Sequence, residues 1–150
     1  GSRCMLVISL DLGTFGAIMK FALEIEGKVS NFYKEVAELA NNDELVGLFG
    51  DLVTRGQKRN TTLERVRREN VTEMILEPIE GLDSDSFRIE TEVLQGIDDA
   101  TIKTIASTIE TTLQKFYTAA ARKIDFLPEA EYAFELLAEK NEETIKRFTS

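Results

Sequence analysis

The stretch ALEIEGKVSNFYKEVA, residues 22–37, decides the fold, and 84 positions later it is echoed by ASTIETTLQKFYTAAA, residues 106–121. Ala22, Ile25, Glu26, Phe32, Tyr33 and Ala37 recur as Ala106, Ile109, Glu110, Phe116, Tyr117 and Ala121. Around the first copy Ile18, Ala22, Ile25, Val29, Phe32, Val36 and Leu39 step by four and three, the spacing that turns one helix face toward partners. A helix is therefore predicted from Thr14 to Asn41. The second copy carries the same seam through Ile102, Ile105, Ile109, Leu113, Phe116, Ala120 and Ile124, behind the capping pair Asp98-Asp99.

Two more helices follow from what flanks these copies. Asn42-Asp43 offers capping chemistry for a second helix reaching about Glu69, with Leu45, Leu48, Phe49, Leu52, Leu63 and Val66 inward. Pro128 suits the first turn of a fourth, with Ala130, Phe134, Leu137, Ile145 and Phe148 inward. Here too a repeat is visible, at an offset of 85: Glu44, Phe49 and Leu52 recur as Glu129, Phe134 and Leu137. Between Asn70 and Asp98 the periodicity fails around Pro78, Gly81, Asp83 to Ser86 and Gly96, with room for a short helix at Thr72 to Leu76. Helices of this size run about 30 to 42 Å, and joined short, long, short they predict an all-α four-helix bundle with one long crossover between helices two and three. Residues 1–13 read as an N-terminal arm and tag remnant, and residues 14–150 as the bundle domain.

Composition narrows the chemistry. The 150 residues hold 18 Lys and Arg against 27 Asp and Glu, a net charge of -9, which disfavours a general nucleic-acid binder. Histidine is absent, so imidazole acid-base catalysis, a Ser-His-Asp triad and imidazole metal ligands are excluded. The single cysteine, Cys4, forms no internal disulfide and fits a reducing compartment. With no apolar run long enough to span a bilayer, the expectation is a cytoplasmic protein with neither membrane nor nucleic-acid partners. Arg55, Lys58, Arg59, Arg65, Arg67 and Arg68 concentrate positive charge on helix two, with Glu64 and Glu69 among them. Gly27, Gly47, Gly50 and Gly56 sit inside predicted helices, where close helix approach or a dimer interface would explain them.

Polar residues interrupt all four seams at a similar depth. Glu26 lies between Ala22, Val29 and Tyr33, and Glu110 sits identically between Ala106, Leu113 and Tyr117. On helix two the stepping lands on Gly56 and Arg59, and on helix four it lands on Asn141 and Thr144. An ordinary core avoids such convergence, because unpaired buried polar groups cost several kcal/mol.

The pattern A-x-E-x-E at Ala22 to Glu26, echoed as A-x-T-x-E at Ala106 to Glu110, each with F-Y ending seven residues after the last Glu, then L-F or A-F and a polar pair at i, i+3, resembles the rubrerythrin and ferritin-like family over residues 14–148. The resemblance implies a ferritin-like up-down-down-up bundle. It also implies a dimetal site, built from one Glu on each odd helix and a Glu-x-x-His pair on each even helix. Glu26 and Glu110 match. The two pairs do not, for Gly56-Gln57-Lys58-Arg59 and Asn141-Glu142-Glu143-Thr144 stand in their places. The degenerate metal-site positions are therefore Glu26, Gly56, Arg59, Glu110, Asn141 and Thr144, with Tyr33 and Tyr117 behind them.

Arg59 can replace the lost metal charge, since a guanidinium stays protonated and offers a planar fork of donors. Tyr33, Tyr117, Asn141 and Thr144 can satisfy the remaining carboxylate oxygens. If only one carboxylate pairs with Arg59, the other should have a raised pKa. The expected protein is thus a homodimeric, non-redox binding or structural bundle without a cofactor. Two alternatives stand beside it. In one, Glu26 and Glu110 still bind metal: either one hard cation such as Mg, Mn or Ca with the Asn141 oxygen and water, to which a crossover carboxylate among Glu73, Glu77, Glu90 and Glu92 could add, or iron or manganese in a rebuilt carboxylate site for oxygen or peroxide chemistry. In the other, the basic stretch of helix two makes the chain an interaction module.

Overall fold

The structure, a computed structural model, describes residues 11–73, 78–91 and 96–149. Four α-helices make up most of it: α1 (Phe15–Leu39), α2 (Asp43–Glu69), α3 (Asp99–Lys123) and α4 (Pro128–Thr149). Three of them start where a side chain takes up a free backbone N–H. Thr14 caps α1 by accepting from Ala17 N, Asn42 caps α2 by accepting from Leu45 N, and Asp98 caps α3 by accepting from Thr101 N. Pro128 opens α4, where its missing N–H costs nothing.

α1 packs along α2 and α3 along α4, each pair joined by only a few residues, while α1–α3 and α2–α4 approaches link the pairs. The result is a four-helix bundle. Its core carries the seam residues of both copies, from Ile18, Ile25, Val29 and Phe32 to Ile109, Leu113, Phe116 and Ile124. The seam runs out toward the helix ends: Leu39 is 49% exposed, and Ile102, Ile105, Ile145 and Phe148 are only half-buried. Near the ends of a bundle, the stripe no longer has helices on every side to cover it.

The connection from Asn70 to Asp98 contributes to the core more than its broken periodicity suggested. Ile79, Leu82 and Phe87 are buried, and the Phe87 ring meets Phe116 edge-on at 5.4 Å, on a ring that Phe21 also contacts at 5.1 Å. Leu12 N donates to the Leu82 carbonyl and Ile79 N to the Gly13 carbonyl, tying this segment to the start of α1. Val71–Glu73 form a 3-10 turn; the rest of the helix expected at 72–76 lies outside the described residues, as do Cys4 and most of the N-terminal arm. No helix among the described residues is long and apolar enough to cross a membrane.

The helical glycines divide. A Cβ on Gly56 would stand 2.6 Å from Ser30 Oγ, so α1 and α2 come close there. Around Gly27, Gly47 and Gly50 a Cβ would meet nothing within 4 Å, and close approach inside the chain does not explain them.

Candidate functional site

The polar residues of the four seams converge on one buried cluster. Glu26 on α1 is 2% exposed and Glu110 on α3 is 6% exposed, among the few buried polar side chains. The repeat becomes a reciprocal exchange: Tyr117 Oη donates to Glu26 Oε2 at 2.6 Å, and Tyr33 Oη donates to Glu110 Oε2 at 2.5 Å. Each tyrosine thus serves the carboxylate of the opposite copy. The seven-residue spacing allows this because it lifts each hydroxyl two turns along its own helix, where it crosses to the other.

The even helices break that symmetry. Arg59 Nε donates to Glu26 Oε2 at 2.9 Å, Nη1 to the Leu137 carbonyl at 3.1 Å, and Nη2 to Asn141 Oδ1 at 3.0 Å. The guanidinium also lies over the Tyr117 ring, 5.2 Å from its centroid. Asn141, fully buried, donates through Nδ2 to Glu110 Oε1 at 2.8 Å. Its amide therefore relays polarity, accepting from the cation and donating to the second carboxylate. Thr144 is buried, but its hydroxyl donates to the Lys140 carbonyl of its own helix rather than to either carboxylate. Gly56 contributes no donor.

One guanidinium faces two carboxylates, and the protonation equilibria follow. Burial opposes the charge on Arg59, yet Glu26, with Tyr117 and Glu110 behind it, outweighs burial and holds its pKa above the ordinary value. Glu110 has no direct contact with the cation. Burial pushes its carboxyl above the usual 4.5, against the pull of Arg59 and the hydrogen bonds from Tyr33 and Asn141, with Glu26 adding to the rise. Burial, reinforced by the facing carboxylates, also raises both tyrosines well above 10. They stay neutral donors.

Space at the centre is scarce. A cavity of about 20 Å³ lies among Glu26, Ser30, Tyr33, Gly56, Arg59 and Glu110, room for one water-sized guest. The dimetal centre implied by the family resemblance does not suit this donor set. Gly56 has no ligating atom, Arg59 brings positive charge, and the Thr144 hydroxyl is committed to its own backbone. Among the described residues no three His, Cys, Asp or Glu side chains are grouped to hold a metal ion. Of the crossover carboxylates, Glu90 is exposed; Glu77 and Glu92, like the Glu73 side chain, lie outside the described residues.

Two participants carry no readable sequence signal. The Leu137 carbonyl is backbone, and Ser30 enters only because Gly56 lets α2 approach α1. The basic stretch of α2 is divided: Arg59 turns into the cluster, whereas Arg67 faces solvent beside Glu64 at 3.7 Å and Arg65 reaches Glu69 at 3.9 Å. No protein-family model matches this chain, and no curated protein matches it.

Proposed function

We infer that the chain is a rubrerythrin-like bundle of the ferritin-like superfamily in which an internal cation stands where metal would be, giving a non-redox binding or structural protein. The observation that carries this reading is the Arg59 fork, bonded to Glu26 directly and to Glu110 through Asn141. A guanidinium so placed removes the need for a metal cation beside Glu26 and occupies the ground between the helices. The finer topology, up-down-down-up with one crossover, is supported by the helix ends. Asn42 donates to Asp99 at 2.6 Å and Lys103 reaches Glu44 at 3.4 Å, so α2 and α3 start at the same end. The chain from Asn70 to Asp98 then has the length of α2, about 40 Å, to retrace.

The test is metal analysis of protein purified without chelator from cells supplied with iron and manganese. Substoichiometric metal, unchanged in Glu26→Gln, is expected, together with a melting temperature indifferent to EDTA. Stoichiometric iron or manganese that disappears in Glu26→Gln would overturn the reading in favour of a carboxylate-built oxidoreductase.

A further inference from the structure

A wide opening lies between α2 and α4. The two helices run in opposite senses there: Arg147 donates to Asp51 at 2.7 Å, Arg55 to the Lys140 carbonyl at 3.4 Å, and Arg59 to the Leu137 carbonyl at 3.1 Å. Long side chains rather than apolar contact bridge the pair. A groove of about 1190 Å³ runs alongside, from Asp51 and Glu143 at one end to Asn70 and Pro128 at the other.

The groove has a cationic end and an apolar stretch. Toward Asp51 its lining holds Arg55, Lys58 and Lys140 against two acids, and both acids are engaged: Asp51 takes Arg147, which comes from outside the lining, and Glu143 meets Lys140 at 3.7 Å. Four cations thus face two carboxylates. Arg55 and Lys58, three residues apart on one face of α2, close no salt bridge among the described residues. Arg59 lies beneath them, but its fork is spent on Glu26, the Leu137 carbonyl and Asn141. Further along the groove Val66, Ala133 and Leu137 are buried parts of the lining, and Tyr132 and Leu136, one turn apart on α4, stand 62% and 40% exposed at its edge. An aromatic and a leucine side by side in water mark a binding surface better than scattered apolar residues do. At the far end the balance reverses, with Glu69 and Glu129 against Arg65.

We propose that this groove binds a medium-chain alkyl carboxylate, its head between Arg55 and Lys58 and its chain along Val66, Ala133 and Leu137 under the edge formed by Tyr132 and Leu136. Charge complementarity selects the ligand. A guanidinium fork matches the two oxygens of a carboxylate, and the lysine beside it adds a second positive charge. Elsewhere a chain of net charge -9 repels an anion, so the local excess of cations fixes where the head can settle. Lys58 and Val66 are about 12 Å apart along α2, which sets the chain to medium length and ends it short of Glu129. A neutral amphiphile would leave Arg55 and Lys58 unused. An acidic peptide filling the whole groove would carry its charge against Glu69 and Glu129.

Calorimetric titration of the full chain with decanoate, below the concentration at which it forms micelles, tests this, with far-UV circular dichroism to verify folding of every variant. Saturable binding of one decanoate per chain is expected. Arg55→Ala/Lys58→Ala should weaken it about tenfold or more, whereas Arg67→Ala/Arg68→Ala, which removes the same charge from the same helix outside the groove, should change it by less than about twofold. Tyr132→Ala/Leu136→Ala should also weaken it about tenfold, through lost apolar contact. On the ligand side, 1-decanol keeps the chain without the charge and acetate keeps the charge without the chain; each should bind about tenfold more weakly or worse. Polyglutamate should not displace decanoate. The absence of saturable binding, decanol binding as tightly as decanoate, or equal weakening by the two cation pairs would each overturn the proposal, and displacement by polyglutamate would overturn it in favour of an acidic peptide. The ligand comparisons need no substitution, so they decide the matter even where a variant fails to fold. The metal measurement is independent of all these outcomes, so this groove and the reading of the central cluster can fail separately.

Discussion

Replacing Arg59 by Met keeps the unbranched stem but deletes the cation. Three hydrogen bonds are lost, at 2.9, 3.1 and 3.0 Å, with the contact over Tyr117. Glu26 and Glu110, 2% and 6% exposed, are then left facing each other's charge without compensation. Breaking a buried ion pair from one side costs about 3 to 5 kcal/mol at neutral pH, a large share of the 5 to 15 kcal/mol that holds a domain together. At acid pH Glu110, whose pKa burial already raises, takes up a proton and the loss should shrink. Because the chain has no tryptophan, urea unfolding is best followed by far-UV circular dichroism. With slopes of about 1 to 3 kcal/mol per molar urea, the midpoint should fall by about 2 M. Arg59→Lys keeps the charge but cannot reach three separate acceptors, and it should fall between Met and the wild type. Adding Glu26→Gln to Arg59→Met should recover part of the loss, with a coupling energy of about 1 to 3 kcal/mol. A loss below about 1 kcal/mol, the worth of one ordinary hydrogen bond, or strict additivity of the two substitutions, would refute the claim that this guanidinium compensates the buried charge.

Two further outcomes follow from the geometry. Glu110 carries a raised pKa when folded, so the native state binds more protons than the unfolded chain above pH 4.5. Its contribution to stability is fully present below that value and is lost as pH rises toward the folded pKa. The groups around it are Glu26 and Tyr33 on α1, Arg59 on α2 and the neutral Asn141 on α4. Glu110→Gln removes the titration, so the stability of the variant relative to wild type should climb with pH above 4.5; a difference that is flat with pH would contradict the assignment. The glycines give a backbone test: Gly27→Ala and Gly47→Ala meet nothing and should each stabilise by about 0.5 to 1 kcal/mol. Gly56→Ala should gain less, because its Cβ would sit 2.6 Å from Ser30 Oγ; adding Ser30→Ala, which leaves a nearest contact of 3.8 Å, should restore the gain in thermal melts.

Helix positions were legible because caps and periodicity are local. Thr14, Asn42 and Asp98 accept from the N–H three residues on, and the four-and-three stepping marks which faces are covered. The stepping does not say where covering neighbours end, so Leu39 fits the seam and still lies in water. The connection was harder. Ile79, Leu82 and Phe87 join the core without a period, because what buries them is the flank of α3 and the start of α1 rather than their own helix.

For the central cluster, the residues could be read from the chain, since polar groups at core spacing stand out against an apolar stripe. Their pairing could not. That Arg59 takes Glu26 and reaches Glu110 only through Asn141, that Tyr33 and Tyr117 exchange carboxylates, and that Thr144 turns back to Lys140 depend on the relative height of four helices. A shift of one turn moves a side chain by about 5.4 Å, more than the length of any hydrogen bond. Composition and spacing determined that charge would be buried here and that one permanent cation was available to meet it. Packing alone decided which carboxylate received that cation and which was left to burial, and it opened between α2 and α4 a groove whose two walls, far apart in sequence, face one another only after folding.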